Sequence, residues 1–271
     1  MMHRSTRAAA RDTTLTATAL ALGAAFALFS LTALVALIVR VSPAGLWTAL
    51  RDPVVEQALA LSLRTSLISA AFIIVLGTPV AAILATPFRG RAILETLITL
   101  PVVLPPVVGG LALLLAFGRA GLLGRELDFL GLHLPFTTAA VVIAQTFVSA
   151  PLYISVAKSV LSRANPQLVE AASTLHASRA YTMLRVVIPP ALPALAGGLT
   201  LAWARALGEF GATITFAGNL PGVTQTMPIA VYMAAQTDLQ AAIAVAVLLM
   251  LLSYGALLAV RHVAGESSVV M

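Results

Sequence analysis

The chain contains no cysteine, which excludes disulfides and thiolate-held metals. It contains a single lysine, Lys158, placed between Ala157 and Ser159. A phosphate-cradling loop needs a Gly-Lys pair whose amides and ammonium hold the phosphates, so that route to ATP hydrolysis is excluded from this chain. No HExxH pair is present, and the four histidines (His3, His133, His176, His262) are too dispersed to suggest a metal site. Charge is scarce as well: 10% of residues are charged, against roughly 25% in soluble domains. With 60% hydrophobic residues and a mean hydropathy of +1.00, the chain has too little polar surface to face water and reads as a membrane protein. The net charge of +6 does not point to nucleic acid, because the arginines are scattered between apolar runs.

Six apolar runs approach the length of about 20 residues that a helix needs to span the hydrocarbon core. They lie at 17–39, 65–85, 93–117, 137–160, 193–217 and 239–260. Lipid cannot satisfy open backbone groups, and alternating barrel strands are not seen, so the expectation is an all-α integral membrane protein of about six transmembrane helices. The first run follows Arg4, Arg7 and Arg11, as in a signal peptide. It is longer than the roughly 7–15 residues of a signal core, and a retained helix is expected. No internal repeat or low-complexity tail is seen, and 1–271 reads as a single membrane domain.

Charge gives the orientation. With the N-terminus in the cytoplasm, the inside segments hold Arg4, Arg7, Arg11, Arg89, Arg91, Lys158, Arg163, Arg179, Arg185 and Arg261. The outside segments hold Arg40, Arg51, Arg64, Arg119 and Arg125. Ten against five favours cytoplasmic N- and C-termini.

The same topology puts the loop 161–192 in the cytoplasm. Asn165-Pro166 is a helix start: Asn accepts from free amides and Pro fits the first helical position. Leu168, Ala171, Ala172 and Leu175 then recur at helical spacing and form one apolar face rich in small residues. A helix resting on lipid has bulky anchors and many basic residues. This one carries Glu170 instead, which favours docking to another protein. Pro189, Pro190 and Pro193 are expected to end the loop before the fifth span begins.

Residues 170–189, EAASTLHASRAYTMLRVVIP, resemble the EAA loop of ABC-importer permeases. The matching positions are Glu170, Ala171, Ala172, Val186, Ile188 and Pro189; the family's glycine is His176 here. Glycine ends a helix in the left-handed conformation, which histidine visits at a cost. Residues 100–124 (LPVVLPPVVGGLALLLAFGRAGLLG) and 204–232 (ARALGEFGATITFAGNLPGVTQTMPIAVY) look like the molybdate permease family. Sulfate and thiosulfate permeases are looser matches. The resemblance covers roughly 59–260. It implies a type I importer architecture in a prokaryotic cell membrane. It also implies a second copy of the chain, an extracytoplasmic oxyanion-binding protein and a separate ATPase subunit that uses ATP and Mg. No cofactor is expected in this chain. In that family Glu170, Ala171, Ala172, Leu175, His176 and Pro189 would couple to the ATPase, and the cargo would be molybdate or tungstate.

Arg205 and Glu209 are charged residues inside an apolar run. Four apart, they share a helix face and can pair. Intramembrane charges are pathway or gate candidates. A self-neutralised pair that only stabilises the bundle is the alternative, and Glu209 weakens any claim of Arg205 alone on an oxyanion. Ala204 and Gly208 form a small-xxx-small step suited to helix packing, and Thr213 and Thr215 add hydroxyls. Pro101, Pro105 and Pro106, followed by Gly109 and Gly110, predict a bend that either lines a pathway or serves packing. The loops 118–136 and 218–238 face a binding protein or are solvated connectors. The different-class alternative is an ion-coupled secondary transporter using Arg205 and Glu209. An intramembrane enzyme lacks an evident nucleophile, acid pair or metal cluster.

Overall fold

The computed structural model describes the backbone of residues 2–265 and the side chains of residues 16–255, 257 and 258. The side chains of His3, Arg4, Arg7, Arg11, Arg261 and His262 lie outside the described residues, as does the placement of 266–271. Helices account for the elements, and no strand occurs among the described residues. In order they are α1 (Met2–Arg40), α2 (Pro43–Arg51), α3 (Pro53–Ala85), α4 (Arg91–Val103), α5 (Pro106–Phe117), α6 (Gly124–Phe129) and α7 (Thr138–Leu161). There follow α8 (Pro166–Thr174), α9 (Arg179–Thr182), a π turn (Met183–Val187), α10 (Ile188–Leu207), α11 (Gly211–Phe216), α12 (Met227–Thr237) and α13 (Leu239–Gly265).

Local chemistry sets most of the starts. Ser42, Asp52, Thr137 and Asn165 each accept a backbone N–H in the first turn of α2, α3, α7 and α8. Proline opens α2, α3, α5 and α8, where its missing N–H costs no intrahelical bond. The Asp52-Pro53 start makes α3 33 residues long, twelve residues earlier than the run at 65–85 predicts, so Arg64 sits inside a helix and not in a preceding loop.

Four helices are each long and apolar enough to cross a membrane: Thr16–Arg40, Pro53–Ala85, Thr138–Leu161 and Arg179–Leu207. The third expected span is a pair, Arg91–Val103 and Pro106–Phe117, bent by 117°. The sixth expected span corresponds to α13, whose apolar part is described over Leu239–Gly255.

The fifth span departs from expectation at both ends. It does not begin at Pro193: helix runs from Arg179 through the π turn into α10, with Pro189 and Pro190 in its first turn and Pro193 inside it. A proline ring lacks the N–H and crowds the carbonyl four residues back. The widened turn fits that crowding, and Ile188 N–H donates to Met183 five residues back. Nor does the span run unbroken to 217, because α10 stops at Leu207 and α11 begins at Gly211.

The centre of the bundle is α3, α7 and α10. Ile73, Leu84, Tyr153, Leu161 and Leu195 are buried there, with Ala81, Ala157 and Ala202 among them. Leu113, Val141, Val148 and Phe216 form a second core where α5 and α11 meet α7. A third, around Val55, Met227 and Val245, joins α3 to α12 and α13. A polar seam runs down α3. Met227 N–H donates to Ser62 Oγ (2.7 Å), Trp203 Nε1–H to Ser66 Oγ (3.0 Å), and Ser69 Oγ–H to Gln145 Oε1 (3.0 Å). Interhelical hydrogen bonds of this kind stabilise membrane bundles by about 0.6 kcal/mol each. In contrast, α1 has no buried residue among those described.

Candidate functional site

Two regions carry the candidate residues: the α8 hairpin at one end of the bundle and a pair of helix breaks within it. At the hairpin, Asn165 Oδ1 accepts from Gln167 N–H at 2.9 Å and Pro166 opens the helix, as the sequence predicts. The helix ends in a left-handed residue, His176, with φ 55°. Ala177 N–H reaches back to Ala172 C=O (3.0 Å) and His176 N–H to Ser173 C=O (3.0 Å). These two bonds make a Schellman ending, so His176 holds the conformation that glycine usually supplies.

The apolar stripe of α8 is divided. Ala172 is buried against its own chain, while Leu168 is 50% and Leu175 81% exposed. Leu168, Ala172 and Leu175 line an open groove of about 640 Å³ together with Tyr181 and Val186. Glu170 and Ala171 are exposed, and Glu170 has no ion-pair partner among the described residues. Pro189 lies beyond the π turn, at the start of α10. The structure thus brings Leu168, Ala171, Ala172, Leu175 and His176 together around one groove and leaves Glu170 and Pro189 outside it.

Within the bundle, α4 and α5 break at Leu104-Pro105, and α10 and α11 break at Gly208–Phe210. The α5 and α11 halves pack tightly against each other. A Cβ on Gly211 would sit 2.8 Å from Pro106 Cβ, and one on Gly110 would sit 2.7 Å from Ala212 O. Arg205 and Glu209 do pair, with Nη2 to Oε2 at 2.7 Å, but not along a continuous helix. Gly208 ends α10, so Glu209 stands in the break. Its Oε1 accepts from Ala212 N–H at 2.8 Å and caps the first turn of α11. Its Oε2 makes the ionic contact with Arg205. Glu209 is wholly buried, whereas the Arg205 side chain is 33% exposed. Thr213 is also buried, its hydroxyl without a partner among the described residues, and Pro105 and Pro106 form the turn facing this region.

Other features were not anticipated. Lys158 of α7 pairs with Glu95 of α4, holding the first half of the bent pair against the bundle. Both charges were visible in the sequence, but their 63-residue separation gave no reason to join them. The Ser62, Ser66, Ser69 series at helical spacing would have been a readable sign of the α3 seam. Of the expected outer loops, 118–136 contains α6 and an Asp128–His133 pair at 2.9 Å, with Arg119, Arg125 and Glu126 around it. The segment 218–238 is not a solvated connector throughout: α12 occupies its second half, and Gln225, Thr226 and Met227 are buried. Among the described residues, no group of three or more His, Asp or Glu could hold a metal ion.

The family model for the "binding-protein-dependent transport system inner membrane component" matches residues 73–265. The chain is 45% identical over 222 residues to the molybdenum transport system permease protein ModB of Mycobacterium tuberculosis, covering 81% of this chain and 84% of that protein. It is 40% identical over 183 residues to ModB of Escherichia coli K12, covering 67% and 80%. Among solved structures, a bacterial ABC transporter involved in the import of the acidic polysaccharide alginate superposes with a TM-score of 0.75 at 17% identity, over 95% of this chain and 97% of that one. The MetNI methionine ABC transporter in an inward-facing conformation gives 0.62, also at 17%, over 79% and 95%. These two share the fold. The bent pair, the α8 hairpin and a family match over most of the chain agree, and this protein belongs to the family of binding-protein-dependent transport system inner membrane components, the translocating membrane subunits of ABC importers.

Proposed function

We propose that this chain translocates molybdate or tungstate into the cell, with the energy supplied by a separate ATPase subunit. The observation that carries this reading is 40–45% identity to permeases named for molybdenum transport. A probable sulfate permease, cysT of Nephroselmis olivacea, is more distant at 34% over 213 residues. A sulfate or other oxyanion cargo is therefore the second reading.

In this proposal both termini and α8 face the cytoplasm, in line with the arginine distribution. A second copy of the chain completes the pathway, and an extracytoplasmic binding protein delivers the anion. The solved alginate transporter in complex with a ligand-bound periplasmic protein supports partners of that kind. The ATPase engages the outward side of α8, where Glu170 and Ala171 are exposed, while Ala172 keeps the helix seated on its own bundle. ATP-driven closure of the ATPase then moves α8, and the bundle alternates its opening. ATP and Mg belong to the partner chain.

The test is cellular molybdenum, measured by elemental analysis at limiting external molybdate. A strain lacking this chain, with other uptake systems deleted, should show a deficit that restoration repairs. Absence of a deficit removes molybdate and moves the cargo to sulfate or another oxyanion. Glu170→Arg should leave membrane insertion intact and abolish uptake. Normal uptake by that stably expressed variant would refute the coupling role of Glu170.

A further inference from the structure

A cavity of about 210 Å³ lies at the bend between α4 and α5, walled by Pro101, Leu104, Pro106, Val148 and Leu152. Arg205 is the one charged side chain on its wall. An apolar cavity within a membrane span is a costly place for a charge. The counterion Glu209 is fully buried, while the arginine side chain is 33% exposed.

The carboxylate is spent inward. One oxygen caps α11 through Ala212, and the other sits against Nη2 alone. A guanidinium carries five N–H donors in a planar fork that matches oxyanions. Among the described residues nothing else hydrogen-bonds those donors. The same cavity meets the start of α5, a 12-residue helix whose first residue, Pro106, lines it. The N-terminal end of a helix carries partial positive charge. Half-helix N-termini at mid-membrane breaks serve anionic cargo in other transporter folds. A cavity of this volume has room for an anion of four oxygens.

We propose that Arg205 is a transient binding station for a tetrahedral oxyanion. The guanidinium donors that Glu209 leaves free hydrogen-bond the anion in this cavity, and the partial positive charge at the start of α5 favours it there. Glu209 fixes the guanidinium and, by offsetting its charge, keeps the stay short. A pathway must release what it binds, so a half-neutralised arginine suits it better than a bare one. The proposal rests on the oxyanion-transport reading above.

The assay is the complete complex, this chain with its ATPase and binding protein, in proteoliposomes supplied with molybdate. Molybdate delivered is measured per ATP hydrolysed. Arg205→Met with Glu209→Gln removes both charges together, and Gln keeps an oxygen for Ala212. This double variant should deliver about ten-fold less molybdate per ATP, the loss of one charge-assisted hydrogen bond. Glu209→Gln alone unmasks the arginine, and the purified complex should retain several-fold more molybdate than the parent. A purely structural pair predicts no such gain. Delivery per ATP within about two-fold of the parent in the double variant overturns the station. Should the double variant fail to assemble, unchanged retention by Glu209→Gln overturns it. A parent complex that moves no oxyanion at all overturns the transport reading itself, a result separable from both.

Discussion

Gly110 is where the two broken spans are held together, and replacing it by alanine tests that geometry. An ideal Cβ at Gly110 lies 2.7 Å from Ala212 O, 2.7 Å from Thr215 Cβ and 2.8 Å from Ala212 Cα. Two of these are backbone atoms, so no rotamer change relieves the clash. The α5 and α11 halves must separate by about 1 Å to restore ordinary contact distances of about 3.5–4 Å. Overpacking of this kind costs about 1–3 kcal/mol. Gly109 is the built-in control. It is buried in the same helix, yet its Cβ would meet only the Phe147 ring edge, at 3.2 Å. Both substitutions gain about 1 kcal/mol in helix propensity, which cancels in the comparison. Gly110→Ala should therefore melt below Gly109→Ala by about 2 kcal/mol, or roughly 4–8 °C for a chain of this size. Thermal unfolding in detergent, followed by a thiol-reactive dye on a buried engineered cysteine, suits a chain without native cysteines. Equal melting of the two variants, within about one degree, refutes the close α5–α11 contact.

His176 holds a left-handed conformation that costs an L-residue about 1–2 kcal/mol, so His176→Gly should firm the end of α8 despite glycine's greater backbone entropy. Hydrogen exchange of the Ala177 amide should slow about five-fold, the equivalent of about 1 kcal/mol; faster exchange contradicts the Schellman ending. The Glu95–Lys158 pair predicts charge-swap behaviour. Glu95→Lys and Lys158→Glu should each lower the melting temperature by about 2–4 °C, and the double swap should recover at least half of the loss. Additive losses in the double variant count against a direct pairing.

The membrane class, the α8 helix and the bend at Pro101–Pro106 were legible because composition, an Asn-Pro cap and clustered prolines each act locally. The left-handed position of His176 was legible only through resemblance. Histidine carries no local signal for that conformation, which the two backbone bonds to Ala172 and Ser173 enforce. The break at Gly208–Phe210 was not legible: Ala204, Arg205, Gly208 and Glu209 fit a continuous helix face by spacing alone. What ends the helix there is partly local, Glu209 capping the Ala212 N–H three residues on, and partly tertiary, Gly211 packing on Pro106. The same applies to Pro189 and Pro190, which read as a stop. A π turn just before them, with Ile188 N–H bonded to Met183 five residues back, lets the helix continue.

That turn has a mechanical consequence. Because the helix does not stop at the prolines, Arg179–Leu207 is one continuous 29-residue element, with the π turn and Pro193 inside it. At 1.5 Å per residue it is a lever about 43 Å long. One end adjoins the α8 hairpin, and the other stops at the break that holds Glu209. Pivoting by about ten degrees around its middle, such a lever displaces each end by roughly 4 Å in opposite directions. Under the coupling role proposed for α8, a push on the hairpin would reach Arg205 as a reversed stroke of similar size.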